Sequence, residues 1–302
     1  MEPPQNASVY PLKGVSLSPK SFTGNDFAQF FTEAREAGDI VMWAGDWNEL
    51  EGQGSPKVVA ELASTYDYIP LIEVTYYTQG TGQLIRPLDE ATKQAYKDSA
   101  VAFAEKYKPE YFAMGIETNI MYEKSPEDFE EFVAFYNEVY DAVKAASPNT
   151  KVFTVFQLES MKGCTFWQEN SCDSSKAEWD IMGRFKSDMA VFTTYPCLVF
   201  KDPADIPADY YTEISQHTTK PIAFTEIGWY SEAYPPGWES SDAKQAQYVT
   251  RLFELTDGMD VEVMVWSFLY DPGTEAPFDS MGLLNDDGTE RPALDAWMNG
   301  GE

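Results

Sequence analysis

The sequence predicts a single (β/α)₈ barrel, and three observations predict it. Apolar, β-rich runs alternate with amphipathic segments eight times along the 302 residues. The runs are near-continuous in Val, Ile, Phe and Met, as strands buried on both faces require. No Gly-rich phosphate loop follows the first run, where a doubly wound open sheet would normally carry one. Regular alternation of this kind implies parallel pairing and right-handed crossovers, and such barrels run to about 250 residues or more as one unit. Residues 1–12 read as an N-terminal tail and 13–302 as the catalytic barrel.

Gly14–Ser18 reads as the first strand and about Asp26–Ala37 as the helix after it. Asp39–Ala44 and Tyr68–Thr75 follow as strands two and three, separated by a helix over Pro56–Thr65 with Pro in its first turn. A long helix, Asp89–Tyr107, takes Asp89 as its N-cap, and Tyr111–Gly115 is the fourth strand. Ser125 then caps a helix that begins with Pro126 and two acids and runs to Ala146. Lys151–Gln157, Met189–Thr194, Pro221–Thr225 and Val261–Phe268 are strands five to eight. Helices are expected near Ser175–Phe185, Ala208–Gln216, Ser241–Leu255 and Arg291–Met298.

Composition narrows the partners. Asp and Glu number 50 against 21 Lys and Arg, a net charge of −29. Such a surface repels nucleic acid and anionic membranes, which both need basic patches, and it also suits a saline habitat. A neutral substrate fits it better than a polyanion. No run approaches the roughly 20 apolar residues that span a bilayer. The opening Met-Glu-Pro-Pro-Gln-Asn-Ala-Ser reads as a tail left after removal of a leader, so an extracellular or cell-surface location and a monomer are expected. Its Asn6-Ala7-Ser8 sequon is read as chance. Cys164 and Cys172 either close a small surface loop or stay free, with Cys197 left over; a bridge would indicate an oxidising compartment.

Barrel enzymes carry their chemistry at the C-terminal strand ends. The fourth strand ends in Gly115-Ile116-Glu117-Thr118-Asn119 and the seventh in Thr225-Glu226-Ile227-Gly228-Trp229. These ends face each other across an eight-strand mouth. A retaining glycosidase needs two carboxyls about 5–5.5 Å apart, one to protonate the leaving oxygen and one to attack the anomeric carbon. Glu117 and Glu226 are therefore the candidate catalytic pair. Glu73 and Glu159, near the ends of strands three and five, are candidates for binding hydroxyls or pairing with a base. His217, the only histidine, precedes strand seven at the stability face, which argues against a Ser–His–Asp triad or a His-rich metal site. Asn285-Asp286-Asp287-Gly288 lacks EF-hand spacing and reads as a solvated turn. No metal or cofactor is expected.

The Glu117/Glu226 pair resembles the signature of the clan A glycoside hydrolases, the 4/7 superfamily of retaining barrels. The segment Pro221–Trp229 is similar to the clan's strand-seven pattern in β-1,3-glucanases and some β-mannanases. Met281–Trp297, with its Gly-Leu, turn Gly and Pro-Ala, resembles the clan's closing segment. The resemblance implies Glu117 as acid/base and Glu226 as nucleophile. It further implies that Tyr195, ending strand six, orients the nucleophile, and that Trp266, ending strand eight, floors a sugar subsite. Ile116 stands where most of the clan has an Asn for the sugar 2-hydroxyl, and Asn119 is the substitute in reach. Trp43, Asp46 and Trp47 follow strand two, Tyr76 and Tyr77 follow strand three, and Trp229 follows the nucleophile; these line an expected stacking cleft. The expected function is endo-acting double displacement on a neutral β-linked polysaccharide, whether mannan, β-glucan or galactan. A non-catalytic carbohydrate-binding barrel and a transglycosylase using the same glutamates are the alternatives.

Overall fold

A computed structural model describes residues 11–301. Eight parallel strands form the barrel: β1 Leu12–Ser16, β2 Ile40–Asp46, β3 Ile69–Thr75, β4 Tyr111–Ala113, β5 Lys151–Gln157 interrupted at Thr154, β6 Ala190–Thr194, β7 Ile222–Ile227 and β8 Val261–Trp266. Neighbours in sequence are neighbours in space, and β1 pairs with β8. The ring closes through β5. Its first half pairs with β4 (Phe112 opposite Val152) and its second half with β6 (Phe156 opposite Phe192).

Strand alternation sorts the side chains. Ile40, Met42, Leu71, Ala113, Val155, Val191, Ala223, Val263 and Val265 form one apolar cluster that fills the barrel. Their alternates, such as Val41, Ile72, Phe112, Phe192, Phe224 and Met264, belong to a second cluster shared with the helices. The period of two that makes a strand thus decides which residues reach the mouth.

The tail boundary moves: Leu12 pairs with Val263 inside the barrel, so β1 starts earlier than the sequence indicated. The sequon lies outside the described residues. Helices α1 Gly24–Ala37, α2 Ser55–Tyr66 and α3 Glu90–Tyr107 follow β1, β2 and β3. Asp89 caps α3, accepting from the Thr92 amide at 2.8 Å. A short helix, α4 Thr118–Lys124, precedes α5 Pro126–Ala146, and Ser125 donates to the Asp128 carboxylate instead of capping the backbone. After β5 come one turn, α6 Leu158–Met161, and 3₁₀ segments at Ser174–Lys176 and Trp179–Arg184. The loop after β6 likewise has only 3₁₀ turns, ending in Thr212–Gln216. The helices expected there are absent, because no apolar stripe of period 3.6 is long enough to hold one against the barrel. Helices α7 Asp242–Thr256 and α8 Pro292–Met298 complete the ring.

Candidate active site

The two glutamates sit where chain geometry breaks. Glu117 leaves β4 in the left-handed region (φ 53°, ψ 39°), an uncommon conformation for a residue with a side chain, and starts α4. The Tyr77 hydroxyl donates to its carbonyl and helps hold this turn. Glu226 follows a register shift in β7: Phe224 stands opposite Phe192, yet Glu226 stands opposite Thr193. This bulge re-aims one side chain at a strand end, as bulges beside active sites do. Both carboxyls are partly exposed at the mouth.

Each has one dedicated hydroxyl. Thr193 Oγ1 donates to Glu117 Oε1 at 2.7 Å, and Tyr195 donates to Glu226 Oε2 at 2.7 Å. Tyr195 is itself held 2.8 Å from the Ser267 hydroxyl, and Ser267 donates to the Ile227 carbonyl at 3.0 Å. Gly228 gives the Tyr195 ring room; a Cβ there would lie 2.8 Å from the ring. A cavity of about 240 Å³ opens beside Glu226, bordered by Ser16, Phe22, Trp43, Ala44, Ser267 and Phe268.

The electrostatics divide the pair. Burial raises the Glu117 carboxyl, the charge of Glu226 raises it further, and Thr193 opposes both only in part. Burial also raises Glu226, but its recorded counterweight is the Tyr195 hydroxyl, which favours the charged form. Both carboxyls are thus raised by burial, and the phenol of Tyr195 opposes the rise at Glu226. A third carboxyl lies under them. Glu73, on the inward row of β3, is 0 % exposed, and neither oxygen has a hydrogen-bond partner among the described residues. Burial, with the charges of Glu226 and Glu117, pushes it well above the carboxylate range.

Of the residues expected to line a stacking cleft, Trp43 borders this cavity, and Tyr195, expected to orient the nucleophile, bonds Glu226. Trp266 is fully buried outside the barrel, against Tyr248 and Trp297, with its indole N–H on the Met281 carbonyl at 2.8 Å. It is one residue out of phase with the inward Val263 and Val265, so it cannot floor a subsite. Trp47 packs on Tyr96 and under Arg86, which also holds Asp46 through two 2.7 Å bonds. Tyr76 stacks on Phe132, and Trp229 packs between Tyr230 and Tyr248. Asn119 spends its amide on the Gln157 backbone, accepting at 2.7 Å and donating at 3.0 Å, so it offers nothing to a 2-hydroxyl. Ile116 is buried too.

Glu159 is a structural hub that accepts from Thr194 and Tyr210, each at 2.9 Å, and from Gln157. His217 stacks on Trp179 at 4.4 Å. Asn285 and Asp287 bond to Thr289 within their own turn. Cys164 and Cys172 are bridged, and Cys197 is free and buried. Thr193 and Ser267 were missed, and Tyr77, expected to line the stacking cleft, instead holds the Glu117 turn. The inward phase of Val191 and Val265 points to the first two.

The chain shares its fold with glycoside-hydrolase barrels. A family 39 glycoside hydrolase from Bacteroides cellulosilyticus WH2 superposes with a TM-score of 0.68 at 18% identity, over 97% of this chain and 64% of that one. A GH5_18 protein from Streptomyces cattleya, solved with Manβ1-4GlcNAc, gives 0.69 at 13% identity, over 97% and 80%. β-Glucuronidase 2 from Bacteroides uniformis gives 0.65 at 14%, over 97% and 34%. The chain therefore spans less than two thirds of the first and third of these proteins. No protein-family model and no curated protein matches the sequence.

Proposed function

We propose that the chain is a retaining glycoside hydrolase acting within a neutral β-linked polysaccharide. The observation that carries this reading is the unequal environment of the two mouth carboxyls: burial and the neighbouring Glu226 push Glu117 up to about 8 against the Thr193 hydroxyl, while Glu226, also raised by burial, takes a phenol hydrogen bond that favours its charge. Two titrating groups pushed apart in this way are what acid and nucleophile assignments require. The likeness to glycoside-hydrolase folds supports the same chemistry.

In the first displacement a Glu226 oxygen bonds to the anomeric carbon as the glycosidic C–O bond breaks, and Glu117 transfers its proton to the departing oxygen. In the second, Glu117 takes a proton from water, the water oxygen bonds to the anomeric carbon, and the ester to Glu226 breaks. Tyr195 holds Glu226 throughout. The disulfide and the acidic surface fit an extracellular setting and a neutral substrate.

The test is release of reducing ends from β-mannan, laminarin and β-1,4-galactan, with product sizing. One of them is expected to give a ladder of short oligosaccharides. Glu226→Gln should abolish this, and Glu117→Gln should slow it by about 10²–10⁴-fold, the usual worth of a positioned acid. Full turnover by Glu226→Gln would sink the assignment.

A further inference from the structure

Three large aromatic side chains are conspicuously exposed among the described residues: Phe22 at 64%, Tyr234 at 38% and Phe166 at 37%. All three stand on loops at the C-terminal mouth, after β1, β7 and β5 respectively. Phe22 borders the cavity that holds Glu226, on the β7-β8-β1-β2 arc. Of the other two, Tyr234 belongs to a separate cluster on the β5–β7 arc, and double displacement as described makes no use of it.

The Cys164–Cys172 loop carries that cluster. Its Trp167 ring meets Tyr234 and Trp238 edge-on, each at 5.5 Å. The loop is pinned to the segment following β6: the Trp167 amide donates to the Leu198 carbonyl at 2.7 Å and the Asn170 amide to Val199 at 3.2 Å. Leu198 is three residues from Tyr195, the residue that holds Glu226. One short segment thus carries the nucleophile's partner at one end and the anchor of the aromatic cluster at the other. Lys201 lies over Trp238 and pairs with Glu169 at 3.1 Å. An exposed ring face on a loop at the barrel mouth suits the C–H face of a pyranose.

We propose that Trp167 and Tyr234 form a second sugar-binding subsite. The chain being cut then runs from Phe22 across the glutamate pair to this platform. The occupant is a neutral pyranose unit of the substrate itself, so the inference rests on the glycosidase reading. The bridge between Cys164 and Cys172 fixes the platform.

The experiment uses mannohexaose, laminarihexaose and β-1,4-galactohexaose, with the matching bioses, on wild type, Trp167→Ala and Tyr234→Ala. Kinetics and titration of intrinsic fluorescence are both recorded. On the hexaose that wild type cleaves, each variant should lower the hexaose-to-biose ratio of kcat/KM, by about tenfold for Trp167→Ala, a size consistent with one lost aromatic contact. The loss should lie in KM, with kcat retained. Tyr234, at an exposed loop tip, keeps the test valid if Trp167→Ala fails to fold. Hexaose binding without cleavage, weakened in both variants, would uphold the subsite while removing the hydrolase reading. An unchanged ratio would overturn the subsite, as would wild type binding none of the three hexaoses. So would a wild-type dimer that Tyr234→Ala dissociates, because the platform would then be an interface between copies.

Discussion

Thr193 stands opposite Glu226 in the β6–β7 ladder, while its hydroxyl donates to Glu117 at 2.7 Å. One threonine therefore touches both halves of the proposed reaction, through its backbone register on one side and its side chain on the other. Two residues later Tyr195 does the complementary task for Glu226. The hydroxyls differ in which carboxylate they favour, and that difference is measurable.

Thr193 stabilises the charged form of Glu117 and so lowers the carboxyl's pKa. Thr193→Val removes that bond and lets the pKa rise. The alkaline limb of the kcat/KM profile, set by the acid that must stay protonated, is expected to move to higher pH, with the acid limb unchanged. A pH series from 4 to 10 on the best substrate checks this; a shifted acid limb would contradict the assignment.

Tyr195→Phe acts on the other limb. It removes the hydroxyl that favours ionised Glu226, so the nucleophile's pKa rises and the acid limb moves to higher pH. Turnover at the optimum should fall by roughly 10- to 100-fold, the worth of about 1.5–3 kcal/mol for a hydrogen bond to a charged group. Steady-state kinetics over the same pH range measure both effects, and a variant with wild-type kcat at pH 5 would refute them.

Glu73 makes a prediction about stability. Its carboxyl is raised in the folded protein, so the fold retains a proton that the unfolded chain releases above the ordinary pKa of about 4.3. Its stabilising contribution is thus full below that pH and is lost as pH rises toward the folded value, by about 1.4 kcal/mol per pH unit. Glu73→Gln lacks this proton. Thermal unfolding followed by circular dichroism from pH 4 to 8 should show wild type losing stability faster than the variant. Parallel curves would mean that Glu73 is ionised and paired in the fold.

Trp266→Ala separates packing from binding. The indole is buried among Tyr248 and Trp297 and far from the inward strand row, so its truncation should cost roughly 3–5 kcal/mol in urea unfolding. The KM of the folded variant should match wild type. A raised KM with little loss of stability would return Trp266 to the sugar site.

The barrel and its glutamate pair were legible in the sequence because both are periodic: apolar runs mark strands, and a carboxyl closing a run marks the mouth. The rest of the site was less legible for physical reasons. Every aromatic residue after a strand looked like a cleft residue, yet Trp266, Tyr76 and Trp229 fall on the helix-facing side. Strand phase from Val263 and Val265 decides Trp266. The bulge before Glu226 then shifts that phase locally, which no periodicity announces. Asn119 was read by its nearness to Glu117, but α4 turns it toward Gln157. The Trp167 platform depends on how a disulfide loop lies over the β6 segment, a long-range contact with no sequence period.

The most direct test of the central claim is the anomeric configuration of the first product. Proton NMR should follow hydrolysis of a β-linked hexaose before mutarotation equilibrates the ends. With Glu226 as nucleophile and Glu117 as acid/base, the β-anomer should appear first and the α-anomer only later. Initial release of the α-anomer would mean single displacement and would contradict the assignment of the pair.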